Sequence, residues 1–80
     1  MIIRMERGYI RLKIGDKTVT IYGEAYIPGS GSPDFVAYPK SIKAWDPPYE
    51  NEKIEEATKT EIVEILKAEA TKRNIKIEFE

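Results

Sequence analysis

Eighty residues suffice for one small domain spanning residues 1–80, and a deep enclosed active site would consume much of its core. The chain has no Cys and no His, which removes disulfides, thiolate chemistry, and the commonest metal ligand and general base. A formal charge of −1 with 41% hydrophobic and 34% charged residues describes a folded domain without the field of a generic nucleic-acid binder.

The first third predicts strands. Met1 to Arg7 forms one, ending at Gly8. From Tyr9 to Ile14, Ile10, Leu12 and Ile14 alternate with Tyr9, Arg11 and Lys13. From Thr18 to Ile27, Val19, Ile21, Gly23, Ala25 and Ile27 alternate with Thr18, Thr20, Tyr22, Glu24 and Tyr26. Directly opposed residues share a face, so apolar must oppose apolar, and that demands an even-length loop. Gly15-Asp16 as a type II′ turn satisfies it, and a four-residue loop from Gly15 to Thr18 fits as well. Pro28 to Pro33 reads as a loop within the domain. Phe35-Val36-Ala37-Tyr38 is a short strand stopped by Pro39, and Ser41 to Trp45 is either another strand or a helical turn. Asp46-Pro47-Pro48 ends it.

The last third predicts one helix with a stripe of Ile62, Val63, Leu66 and Ala70, and Ile65 at its edge. Thr58 and Glu61 fit a capping box, and a start one turn earlier near Glu55 fits equally. Glu55–Lys59 and Glu69–Arg73 are spaced as i,i+4 pairs. Asn74 suits a left-handed stop, and Ile75, Ile77 and Phe79 then alternate as a closing strand. The expected fold is α+β: a mostly antiparallel sheet of about five strands, order β-β-β-β-α-β, with one helix on one face. Its core would hold Ile10, Leu12, Ile14, Val19, Ile21, Ile62, Leu66, Ile75, Ile77 and Phe79.

Chemistry is sparse. Glu55-Glu56 point about 100° apart on a helix and better serve its dipole than a substrate. Gly29-Ser30-Gly31-Ser32 lacks the Lys-Ser/Thr of a phosphate loop. No catalytic residue, metal site or cofactor is expected. Two surfaces remain. Tyr9, Arg11, Lys13, Tyr22 and Tyr26 share the open sheet face. That set suits ordinary cross-strand pairing, a protein contact, or a single-stranded nucleic-acid platform, the last opposed by Glu24 and the near-neutral charge. The second surface is acidic. Residues 1–43 carry a net +3 and residues 44–80 a net −4, with Glu50, Glu52, Glu55 and Glu56 prominent. These solvate a helix start or form a docking edge for a basic partner. Trp45 and Tyr49 border it, as core residues or as interface anchors. An unpaired edge strand would permit a homodimer.

Several stretches carry a family likeness. They are Arg7-Gly8-Tyr9-Ile10, Phe35-Val36-Ala37-Tyr38, and Ser41-Ile42-Lys43-Ala44-Trp45 running into Asp46-Pro47-Pro48. The acidic-start helix and Ile75-Lys76-Ile77-Glu78-Phe79 complete the pattern. Together they resemble immunity protein family 74 of bacterial polymorphic toxin systems. The resemblance implies an α+β protein that neutralises a co-encoded toxin domain by binding it, without enzyme activity or cofactor. It supplies no set of binding residues, so Trp45 is a pattern residue only. Against a nuclease toxin, the carboxylates of Glu50, Glu52, Glu55 and Glu56 would stand in for phosphates. No apolar run is long enough to span a bilayer and no signal-peptide pattern opens the chain, so the expected compartment is the cytoplasm.

Overall fold

A computed structural model describes residues 1–26 and 31–80. Its strands are β1 (Ile2–Met5), β2 (Tyr9–Ile14), β3 (Lys17–Ala25), β4 (Phe35–Ala37) and β5 (Ile77–Phe79), with helix α1 (Glu56–Lys72) between the last two. They form one five-stranded sheet in chain order. Pairing is antiparallel from β1 to β4 and parallel between β4 and β5. The parallel pair follows from the helix, whose long crossover returns the chain to the end from which β4 started. The α+β architecture and the element order match the sequence expectation. The expected strand end at Ile27 and the loop residues Pro28, Gly29 and Ser30 lie outside the described residues. The helix is neither long nor apolar enough to cross a bilayer.

Apolar opposition sets the hairpin. Ile14 pairs with Lys17, Leu12 with Val19 and Ile10 with Ile21, leaving Gly15-Asp16 as a two-residue loop. Gly15 takes φ 64°, and the only positive-φ non-glycine among the described residues is Asn74. The positive φ thus falls on the first central residue, as a type II′ turn requires. The four-residue alternative is not used.

The helix starts at Glu56 with Glu55 as an extended N-cap that makes no side-chain cap bond. The Thr58–Glu61 capping box therefore does not form. Ile54, buried just before the helix, anchors the chain and starts the helix a turn earlier. The i,i+4 pairs are also replaced. Lys59 bonds Glu56 at 3.2 Å, and the Arg73 guanidinium donates to the Ile2 carbonyl at 2.6 Å. Glu69 faces Lys72 at 3.5 Å and the chain's amino terminus at 3.9 Å. Arg73 and Glu69 thereby occupy the outer edge of β1 at Ile2. At the other end Asn74, with φ 57°, stops the helix as expected. The Ile75 amide bonds Ala70 O at 2.9 Å and the Asn74 amide bonds Thr71 O at 3.2 Å, the paired bonds of a Schellman stop. That use of Ile75 delays the strand to Ile77 and leaves Ile75 half-buried, outside the core where the sequence placed it.

Ile10, Leu12, Val19, Ile21, Ile62 and Leu66 form the centre of the core, with Ile14, Ile77 and Phe79 partly buried around it. The expected core omitted Ile2, Phe35, Ala37, Ile42 and Ile54, all of which join it, and Trp45, read as a core residue or an interface anchor, joins it as well. Ser41 to Trp45 is neither strand nor α-helical turn. A 3₁₀ turn over Pro39–Ser41 precedes an isolated antiparallel bridge between Ala44 and Lys53. Single hydrogen bonds replace a ladder along this edge of β3. Tyr22 N donates to Ser41 Oγ at 3.0 Å, and Asp46 N donates to Thr18 O at 2.8 Å.

Gly23 fixes the β3–β4 approach. A β-carbon there would overlap the Val36 carbonyl oxygen and stand 2.5 Å from the Phe35 ring. Phe35 has no exposed surface, so neither neighbour can retreat. We expect Gly23→Ala to cost about 3 kcal/mol in urea unfolding, while Gly8→Ala, which meets nothing within 4 Å, stays within about 0.5 kcal/mol of the parent. Equal midpoints for the two variants would contradict this packing.

Candidate functional site

Residues 45–52 form a loop closed at its base by the Ala44–Lys53 bridge. Its first two side chains go to opposite sides of the sheet. Trp45 turns inward, is 9% exposed and joins the core. Asp46 turns to the open face, accepts from Thr20 Oγ1 at 2.9 Å and pairs with Arg11 Nε at 3.4 Å. One dipeptide therefore grips the sheet from both sides.

The hairpin tip supplies the other half of the clamp. Lys17 occupies an inward position in β3, in register with Val19 and Ile21. A cation there needs partners, and it has three. Its ammonium lies 5.4 Å from the centroids of both the Trp45 and Tyr49 rings and 2.7 Å from Glu52. A lysine stem can cover apolar surface while its charge stays in water, and Lys17 borders Ile14, Trp45, Ile62 and Ile65. The Glu52 hydrogen bond raises the Lys17 pKa against some desolvation. Tyr49 donates to Asp16 at 3.2 Å, and the Asp16 charge and hydrogen bond raise the phenol above its ordinary value. A groove of about 280 Å³ beside this clamp is lined by Ile14, Lys17, Trp45, Glu61, Ile62 and Ile65.

The clamp sorts the acidic candidates. Glu50, Glu52, Glu55 and Glu56 are all exposed. Glu52 is held by Lys17 and Glu56 by Lys59, whereas Glu50 and Glu55 make no ion pair among the described residues. Trp45 is the bolt beneath this surface, and Tyr49, half-buried, is its hinge. Among the described residues no three acidic side chains converge as a metal site requires.

The sheet-face candidates stand apart from that stretch. Tyr9 lies opposite Tyr22, and Tyr22 and Tyr26 are 54% and 43% exposed. Arg11 is engaged by Asp46, so it is a clamp residue as much as a surface cation. Sequence reasoning missed Asp16, Lys17 and Asp46 in the clamp and Tyr38 on the face. Lys17 carried a visible signal: it is a cation at an inward strand position.

A model of the family described as immunity protein 74 matches residues 2–80. No curated protein and no solved structure matches the chain significantly.

Lys17 and Tyr49 hold their protons more tightly folded than unfolded, and so does Tyr38, through burial and the nearby Glu24 and Glu80. Their stabilisation is complete below the ordinary tyrosine value of 10.0 and is lost as pH rises through the raised folded values. Urea midpoints measured upward from neutral pH should fall above that value, less steeply in Tyr49→Phe. An equally steep fall in the variant would remove the Tyr49–Asp16 contact from the account.

Proposed function

The chain belongs to the immunity protein 74 family, and we propose that it is a non-enzymatic cytoplasmic protein that neutralises a cognate bacterial toxin by binding it and covering its working surface. The docking surface in this reading is the clamped loop with the helix start that follows it. The observation that carries it is the run of exposed carboxylates at Glu50, Glu52, Glu55 and Glu56 on backbone fixed to the hairpin by Trp45 and Lys17. Fixed charge loses little freedom on binding. Arranged on one end, it accelerates encounter with a basic surface and rejects acidic ones. Glu50 and Glu55 give up no ion pair among the described residues on docking, so they would contribute most. Tyr49 supplies aromatic area at the rim and Trp45 supplies rigidity from below. The adjoining groove offers a side chain of the toxin a place to insert.

The nucleic-acid reading of the sheet face has less support. Glu24 and Glu78 flank Val36 on that face and would repel phosphate.

The test is co-expression with the toxin domain encoded beside this protein. Cells should survive, and the two proteins should co-purify. Glu50→Lys/Glu55→Lys should keep the parent's thermal stability and slow association at low salt by about tenfold or more. Failure of the parent to rescue or bind that toxin would overturn the reading, and an unchanged association rate in the variant would remove the acidic end as its docking surface.

A further inference from the structure

The groove beside the clamp opens between the hairpin tip and the first turns of α1. From the helix, Thr58, Glu61, Ile62 and Ile65 line it, at a spacing that puts them on one face. From the hairpin come Ile14 at the end of β2 and Asp16 in the turn, and Trp45 joins them. Ile62 and Trp45 are buried, whereas Ile14 and Ile65 are only half-buried and leave apolar surface in the groove.

The charges around this apolar surface do not balance. Lys17 is the one cation among the lining residues, and Glu52 holds it at 2.7 Å. Asp16 accepts from the Tyr49 phenol at 3.2 Å and makes no ion pair among the described residues. Glu61 differs from the other glutamates of the helix. Glu56, Glu64 and Glu69 each pair with the lysine three residues on, at 3.2, 3.5 and 3.5 Å. The residue three after Glu61 is Glu64, and Ala57, Thr58 and Ile65 fill its other neighbouring helical positions, so its own helix offers it no cation. Two exposed carboxylates without a cationic partner among the described residues therefore line an apolar slot. The side chain that complements it is apolar along a long stem and cationic at its end. An acidic side chain would be repelled, and a purely apolar one would take water from Asp16 and Glu61 without replacing it. A guanidinium sheds water more readily than an ammonium, and its planar fork reaches two acceptors at once. Arginine is also among the residues that dominate interface energetics.

We infer that the groove takes an arginine side chain of the basic partner, its stem over Ile14 and Ile65 and its guanidinium at the carboxylates of Asp16 and Glu61. This rests on the reading of the acidic end as the toxin-docking surface, and it names the side chain that the groove selects there.

Methyl and indole NMR of the full chain at low salt tests it, with N-acetylarginine amide as the probe and its lysine and norleucine counterparts as comparisons. The arginine probe should shift the Ile14, Ile62 and Ile65 methyls and the Trp45 indole saturably, with a Kd of about 10 mM or below. It should bind at least about threefold more tightly than either comparison. Glu61→Gln should weaken it by about threefold or more, whereas Glu64→Gln, which alters a carboxylate already paired with Lys67, should leave it at the parent's value. Both glutamates are exposed, and thermal unfolding checks that each variant keeps the parent's stability. No saturable shift at these residues, equal binding of the lysine or norleucine probe, or an undiminished response in Glu61→Gln would each overturn the proposal. In complex with the toxin domain, Glu61→Gln should speed dissociation by about tenfold. A parent that binds the toxin while the variant dissociates at the parental rate would overturn the groove's role and leave the proposed function standing. A parent that takes the arginine probe but binds no toxin would support the groove's preference and overturn the proposed function.

Discussion

The ammonium of Lys17, set between the rings of Trp45 and Tyr49 and bonded to Glu52, is the joint on which the acidic end of this molecule depends. The loop that opens with Asp46-Pro47-Pro48 carries two turn hydrogen bonds of its own, from Tyr49 N to Asp46 O and from Glu52 N to Tyr49 O, each at 3.0 Å. It becomes a defined surface because both sides of the sheet hold it. Trp45 and Lys17 act from the core side, and Asp46 with Thr20 and Arg11 acts from the open side. The loop thus inherits the rigidity of the β2–β3 hairpin, the best-defined register in the fold.

Legibility in the sequence followed the range of the forces involved. Alternation along β2 and β3 was readable because one buried face imposes a period of two on neighbouring residues. Asn74 was readable because only a few residue types adopt a left-handed stop. The helix start was readable only as a choice between Thr58 and a start near Glu55, and burial of Ile54 selects the second. The segment from Ser41 to Asp46 was not, because its hydrogen-bond partners are in β3, some twenty or more residues away. The same distance hid the role of Asp46, whereas Trp45 takes the core place that was one of its two sequence readings. Periodicity identifies a face; it does not identify which loop will close over it.

The family assignment and the fold bear on different questions. Membership in immunity protein 74 gives the class of biological role. The fold supplies the candidate surface. The clamped end is acidic, with exposed carboxylates on anchored backbone, which suits a basic partner of another sequence.

The most direct test of the central claim is a hydrogen-exchange footprint of the protein in complex with the toxin domain that the proposed function assigns to it. The account predicts that exchange slows across residues 49–56 and the hairpin tip at Gly15 and Asp16, with little change along Glu24–Tyr26. Unchanged exchange over 49–56, with protection elsewhere on the chain, would contradict it.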